Sequence, residues 1–256
     1  MLNKLRLLPI VLLFLVVSSC QQGSDSTAPT EGGGGTGQGG SMARFAVKGD
    51  NLYAVTNTDL VVFDVSNAAK PFEVGALPVG FGIETIFPYK DHIFIGAESG
   101  MFIVDNTNPN RPKNVSAFTH IRSCDPVVVQ DTLAYVTLRG GTRCGGWTNE
   151  LQIVNVKDLS NPFLVARFPM TNPHGLGIDS NKLFICDGDD GLKIYDVEDP
   201  KSIFRIAHYK DINAYDVIAR SGILIMIGND GLYQYDYTVQ GKPAFLSKIP
   251  VKQSRH

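Results

Sequence analysis

The chain has 256 residues, of which 43% are hydrophobic and 19% charged. This is the composition of a globular protein and excludes disorder of the whole chain. The formal net charge is −2 and the sequence holds no basic cluster, which excludes nucleic acid as the main partner, because binding it needs a basic surface that displaces counterions from phosphates.

Residues 1–19 have the three parts of an export signal: basic side chains, an apolar stretch and small residues. The apolar stretch is shorter than the roughly 20 residues that span a bilayer. The sequence Val-Ser-Ser-Cys at Val17–Cys20 resembles the bacterial lipobox, which implies cleavage before Cys20 and lipidation of its sulfur. We therefore predict a signal peptide over 1–19 and a lipidated Cys20. Ordinary secretion with an incidental cysteine is the alternative.

Residues 20–41 consist mostly of Gly, Ser, Thr and Gln, so this segment cannot offset its ordering entropy by burial and is predicted to be a flexible tether. A tether of about 20 such residues reaches roughly 25 Å. Gln21, directly after Cys20, resembles the sorting signal of outer-membrane lipoproteins. No dense acidic run follows, which favours the periplasmic side over the cell surface. We expect a protein held at the cell outer membrane through its N-terminal lipid.

The rest of the chain repeats. Five similar segments begin about 40 residues apart, with one step of about 50: Leu60–Val65, Met101–Asn106, Leu151–Val156, Leu192–Val197 and Leu232–Tyr237. An apolar strand precedes each segment, and a turn and a short apolar strand follow it. The units are rich in Val, Ile, Phe and Tyr and lack a helical period, so each reads as four short strands. A four-stranded unit of about 40 residues is typical of one propeller blade.

These units predict an all-β fold: one five-bladed β-propeller over 42–251, followed by a tail at 252–256. The blades are expected near 43–80, 81–120, 121–170, 171–210 and 211–251. One blade cannot bury both of its apolar faces, so neighbouring blades should pack face to face and close a ring. The first blade begins with its innermost strand and the last ends with its outermost, so no blade is split and closure would depend on packing. We expect a monomer.

The repeated strand Leu-x-x-x-Asp-Val, followed by Asn or Ser and then Pro, resembles the bacterial repeat family named for its Leu-Val-Ile-Val-Asp motif, which is found in β-propeller lipoproteins. All five repeats carry the pattern, with Asn155 in place of Asp in the third and Tyr237 in place of Val in the fifth. The resemblance implies a propeller of unknown biochemical role and brings no catalytic residues with it.

Three cysteines follow Cys20: Cys124, Cys144 and Cys186. Cys124 precedes the innermost strand of the third blade, and Cys144 lies in a glycine-rich insert in the same blade. Both loops emerge on one face, so we predict a Cys124–Cys144 disulfide, worth about 3 kcal/mol in the chain-entropy treatment. Cys186 ends an apolar strand and reads as a core residue. The sequence lacks the paired Cys-x-x-Cys spacing of zinc sites.

The loops that enter the innermost strands and those that join second to third strands lie on one face of a propeller, here called the loop face. We predict a binding surface there, formed by Glu84, Asp125, His174, Asp216, Asp187, Asp189 and Trp147. A ring of carboxylates would suit a cation, a sugar or a basic segment. The structural alternative is that the aspartates stabilise turns. No cofactor is expected; calcium is possible at Asp187–Gly191, although that segment is too short for the twelve-residue loop.

We therefore expect a non-catalytic module that binds or scaffolds another protein in the cell envelope. The alternative is a propeller that binds or cleaves glycans with carboxylates at the mouth of its central channel. A purely structural envelope protein is a third possibility. No Gly-x-Ser-x-Gly motif is present, so a serine hydrolase is not indicated, and no residue is predicted to be catalytic.

Overall fold

A computed structural model describes residues 39–120, 123, 126–141, 145–239 and 241–251. They belong to the second of two units of the chain, Gly34–His256; the first, Met1–Gly33, lies outside the described residues. The regular structure of the described residues is twenty β-strands. No helix among them is long and apolar enough to cross a membrane.

The strands form five antiparallel sheets of four consecutive strands, each sheet being one blade. Blade one contains β1 (Phe45–Lys48), β2 (Asn51–Val55), β3 (Asp59–Asp64) and β4 (Phe72–Pro78). Blade two contains β5 (Ile83–Tyr89), β6 (His92–Ala97), β7 (Gly100–Asp105) and β8 (Lys113–Thr119). Blade three contains β9 (Val127–Gln130), β10 (Leu133–Leu138), β11 (Glu150–Asn155) and β12 (Phe163–Pro169).

Blade four contains β13 (Leu176–Asp179), β14 (Lys182–Cys186), β15 (Leu192–Asp196) and β16 (Phe204–Tyr209). Blade five contains β17 (Ala214–Arg220), β18 (Ile223–Gly228), β19 (Gly231–Asp236) and β20 (Ala244–Pro250). The prediction of an all-β, five-bladed β-propeller is confirmed, and within the described residues each blade consists of four consecutive strands.

The aspartate of the repeated motif has a structural role at the end of each third strand. A side-chain oxygen at this position accepts the backbone N–H two residues further on, at 2.8 to 2.9 Å. The five positions are Asp64, Asp105, Asn155, Asp196 and Asp236. The turn needs only a side-chain oxygen that accepts a hydrogen bond, which explains why asparagine replaces aspartate in blade three.

Four apolar clusters hold the blades together, and each joins one blade to the next in sequence. In each, an aromatic ring from the second strand of the earlier blade contributes to the contact with the later one. The rings belong to Tyr53, Phe94, Tyr135 and Phe184, all at most 3% exposed. Burying such a ring removes a large apolar area from water, so these contacts stabilise the packing of each blade against the next.

Blade five is tied to the centre of the propeller by residues Gly39–Ala43, here called the lead segment. The Ser41 hydroxyl accepts the N–H of Leu176 at 2.7 Å and donates to a carboxylate oxygen of Asp216 at 3.2 Å. The carbonyl of Ala43 accepts the N–H of Ile86 at 2.9 Å. The lead segment therefore connects blades four and five with blade two.

The expectation that packing alone closes the ring differs from what is observed. Within the described residues, none of the four clusters contains residues of both blade five and blade one. Phe45 of blade one is 63% exposed and Ile227 of blade five is 51% exposed. The hydrogen bonds of the lead segment, rather than a fifth apolar interface, connect the last blade to the beginning of the propeller.

Replacing Phe184 with alanine should lower the free energy of unfolding by about 3 to 5 kcal/mol, because the substitution leaves a cavity in the contact between blades four and five. The control is Phe163→Ala, since Phe163 is 57% exposed at the start of an outermost strand. Urea unfolding monitored by circular dichroism measures both values. Equal losses in the two variants would contradict the assignment of Phe184 to the contact that holds these blades together.

Candidate functional site

His174 and Arg139 contact each other on the loop face. His174 precedes β13, and Arg139 directly follows β10. One terminal guanidinium nitrogen of Arg139, Nη1, lies 2.5 Å from Nδ1 and 3.0 Å from Nε2 of the His174 ring. Burial, and secondly the positive charge of Arg139, lower the pKa of His174 to about 4. At neutral pH the imidazole is therefore uncharged and accepts a hydrogen bond from the guanidinium.

The blades on either side fix the position of His174. Its backbone N–H donates to the carbonyl of Cys186 at 2.7 Å, and its own carbonyl accepts the hydroxyl of Thr137 at 2.7 Å. The ring meets the Tyr215 ring edge-on, with centroids 5.4 Å apart. Strands of blades three, four and five thus hold the imidazole in place.

Arg139 places a positive charge on a face that the sequence predicts to be acidic. Burial lowers the pKa of its guanidinium, while the charge of Glu84 acts in the opposite direction. Its Nε is buried and has no hydrogen-bond partner among the described residues. Alignment of the repeats could have identified this residue. Arg139 directly follows the second strand of blade three, and Glu98 directly follows the second strand of blade two. The reversal of charge at this position marks blade three as different.

Asp187, a candidate from the sequence, is fully buried and engaged in an ion pair with Lys193. The Asp187 carboxylate also accepts the backbone N–H groups of Thr171 and Asn172. Lys193 contacts Asp190 at 2.6 Å as well. Burial opposes the charge of Lys193, but the hydrogen bonds that its ammonium group donates to Asp187 and Asp190 raise its pKa overall. This arrangement stabilises a turn and leaves Asp187 no free oxygen pointing to solvent.

Asp189, two residues further on, is exposed, and its charge acts on His174. The region suggested for calcium therefore contains an ammonium group between Asp187 and Asp190. Within the described part of the chain, no group of three or more His, Cys, Asp or Glu side chains is arranged to hold a metal ion.

Asp216 anchors the lead segment instead of lining an open mouth. Its carboxylate accepts the hydroxyl of Ser41, the backbone N–H of Val217 at 2.9 Å and the backbone N–H groups of Ser41 and Met42. Burial nevertheless raises the pKa of Asp216 to about 6. A methyl group at Gly40 would lie 2.0 Å from this carboxylate, so the lead segment needs glycine at that position.

Trp147 projects from the insert of blade three and is 94% exposed. The base of the insert is well fixed: Gly140 N–H donates to the Asn149 side chain at 2.9 Å, and that side chain donates to the carbonyl of Thr171 at 2.7 Å. The backbone of Trp147 lies against Gly140, where an added Cβ would come within 2.6 Å of the tryptophan carbonyl carbon. The indole is thus carried on an ordered base adjoining Arg139.

Several sequence predictions lie outside the described residues: lipidation of Cys20, the Cys124–Cys144 disulfide and the candidate Asp125. They stay predictions. Cys186 is a free thiol, fully buried between blades four and five, and burial raises its pKa well above the usual value.

Comparisons with known proteins support the fold. The LVIVD repeat matches residues 39–77, so blade one carries the repeat that the sequence pattern indicates. Comparison with curated proteins finds no significant match.

The chain is similar to solved structures of low sequence identity. The computationally designed Ika8 protein is 9% identical (TM-score 0.59, covering 80% of this chain and 60% of that one). A protein from Lactobacillus plantarum is 12% identical (TM-score 0.59, 78% and 68%). Apo AztD from Citrobacter koseri is 11% identical (TM-score 0.57, 77% and 58%). The chain spans about 60% of the first of these, and such low identities show the fold alone.

The pKa shifts of His174 and Asp216 should give opposite pH effects on stability. The pKa of His174 is about 4 in the folded protein, against an ordinary value of 6.5. Its contribution to the free energy of unfolding is therefore complete above pH 6.5 and is lost as the pH falls towards 4. Between pH 7 and pH 4, the free energy of unfolding of wild type should therefore fall by on the order of 2 kcal/mol relative to that of His174→Gln. Urea unfolding at several pH values measures this difference.

Asp216→Asn provides the matched control. The pKa of Asp216 is about 6 folded, against an ordinary value of 3.8, so its carboxyl group stabilises the fold below pH 3.8 and loses that contribution as the pH rises through 6. Relative to Asp216→Asn, wild type should gain stability as the pH falls. The same sign for both variants would contradict the assigned environments.

Proposed function

We propose that this chain is a non-catalytic β-propeller module of the cell envelope that binds a protein partner through its loop face. The contact surface consists of Glu84, Arg139, Trp147, His174 and Asp189, here called the loop-face patch. The observation that carries the proposal is the 94% exposure of Trp147 on an insert with an ordered base.

Two physical arguments favour a protein partner. A tryptophan on a fixed base loses little conformational entropy on binding and buries a large apolar area, which is why tryptophan is enriched among the residues that dominate interface energies. Arg139, the residue before Gly140, and Asp189, whose charge acts on His174, are charged side chains of the same face and are expected to supply the polar rim that surrounds such an anchor. Because the imidazole of His174 is neutral and hydrogen-bonded to Arg139, it helps to orient the guanidinium.

A glycan-cleaving propeller is the second candidate, and one observation favours it. Asp216, whose pKa is about 6, holds its proton closer to neutral pH than an ordinary aspartate, as a general acid must. However, its oxygens accept hydrogen bonds from Ser41, Met42 and Val217, so the carboxyl group faces the lead segment and not the loop-face patch. These contacts support a structural role for Asp216 and a non-catalytic module.

The partner can be tested with a photo-crosslinking amino acid at position 147 in cells that make the protein naturally. We expect a discrete crosslinked protein band, and we expect Arg139→Glu to reduce it at least fivefold. The same amino acid at position 163, also exposed, is the control and should give no such band. Equal products at both positions, or a band unaffected by Arg139→Glu, would contradict the assignment.

The glycan alternative has a direct readout, because Trp147 is the only tryptophan of the chain. Burial of an indole moves its fluorescence to shorter wavelength. Titration with soluble peptidoglycan fragments should leave the emission unchanged if the partner is a protein. A saturable shift of the wild-type emission to shorter wavelength would favour a glycan ligand.

Membrane attachment through Cys20 is part of the proposal and has its own test. Metabolic labelling with radioactive palmitate should mark the wild-type protein, and Cys20→Ala should remove the label. Cys186→Ala is the control, since that thiol is buried in the core and should leave labelling intact. Labelling that persists in Cys20→Ala would mean that the cysteine is incidental.

A further inference from the structure

The first blade leaves an apolar face uncovered. Phe45 of β1 lies opposite Ala54 of β2. In each of the other four blades, one residue of the innermost strand occupies the equivalent position. Those residues contact the preceding blade and are at most 2% exposed: Ile86, Val127, Leu176 and Val217. Phe45 is 63% exposed, so the face of blade one that points away from blade two has no covering sheet.

The fifth blade leaves the opposite face uncovered. Ile223 and Ile227 of β18 are 40% and 51% exposed, and Ile225 between them is half-buried. Ile225 occupies the position at which blades one to four place the aromatic ring that contacts the following blade. The face that blade five would offer to a following blade is therefore open.

The two open faces are complementary in the size of their side chains. At each interface inside the propeller, the earlier blade supplies a ring, such as Phe94, and the later blade supplies an aliphatic residue, such as Val127. At the ends the two contributions are exchanged: blade five has Ile225 in place of the ring, and blade one has Phe45 in place of the aliphatic residue. An exchange that conserves total volume preserves packing.

The inward halves of both faces are mainly apolar. That of blade one includes Phe45, Val47, Leu52 and Ala54, and that of blade five includes Ile218, Ile223, Ile225, Ile227 and Leu232. Polar side chains border the blade-five face: Arg220 and Asp236 lie opposite Ile223 in the sheet, and Gln234 lies opposite Ile225. Exposed apolar surfaces with a polar rim are typical of surfaces that another protein covers.

We propose that a second copy of this chain covers these faces, with blade five of one copy packed against blade one of the next. Within a single chain the two faces do not cover each other, since Phe45 and Ile227 stay exposed while the lead segment holds blade five to the propeller centre. The contact continues the interface already used four times inside the chain. It joins two different surfaces and is therefore a head-to-tail contact.

The test uses two aspartate variants of the full lipidated chain, with detergent micelles in excess so that each micelle holds one lipid anchor. Phe45→Asp blocks the blade-one face and Ile225→Asp blocks the blade-five face. Light scattering after size-exclusion chromatography should show wild type associating with increasing concentration. Each variant alone should be a single copy, with association at least tenfold weaker. An equal mixture of both should form a two-copy species, because one open face of each kind remains.

Two control variants show whether association depends on the end faces alone. Phe163→Asp, on an exposed outermost strand, should associate like wild type, and so should Trp147→Ala, because the loop-face patch is a different surface. Circular dichroism spectra that match wild type confirm that the variants fold. Wild type that stays a single copy at all concentrations, or a mixture that forms no two-copy species, would overturn the proposal. Association lost in Ile225→Asp but kept in Phe45→Asp would overturn the head-to-tail geometry.

Discussion

Packing of one aromatic ring from each of blades one to four against the next sheet is the interaction on which the rest of the structure depends. A four-stranded sheet of this length cannot bury both of its faces alone, and Tyr53, Phe94, Tyr135 and Phe184 each fill the contact to the following blade. Because the repeats are regularly spaced, each ring occupies the equivalent position in the second strand of its blade. The loops then emerge together at one end, which is how residues far apart in sequence, such as Arg139 and His174, come into contact.

The lead segment adds a second constraint, which is polar. Ser41 and Asp216 join the start of the propeller to blade five by hydrogen bonds, and the accompanying burial raises the pKa of the Asp216 carboxyl group. Hydrogen bonds hold the end blade in position but remove little apolar area from water. This explains how blade five can be attached while Ile223 and Ile227 remain open.

The fold could be predicted from the sequence because it depends on period and local chemistry. The motif aspartate, for example Asp64, acts within its own turn, so its role is visible in the repeat. The site could be predicted only in part. Asp187 pairs with Lys193 within the hairpin of β14 and β15, a contact that needs the exact strand register. Asp216 meets a segment 175 positions away, so its partner depends on the folded arrangement. Arg139 occupies the position that Glu98 occupies in blade two and Asp187 in blade four, and only this reversal of charge in blade three distinguishes it.

The two proposed surfaces lie in different parts of the molecule and reinforce each other. The loop-face patch belongs mainly to blades three and four, whereas the end faces belong to blades one and five, so association between copies leaves Trp147 available. Anchoring through Cys20 would confine copies to a membrane surface and raise their effective concentration, so that a weak apolar contact between end blades suffices for association. Copies joined in this way would present several Trp147 side chains to one partner. Binding by such an array is stronger than binding by a single propeller without any new contact at the patch itself.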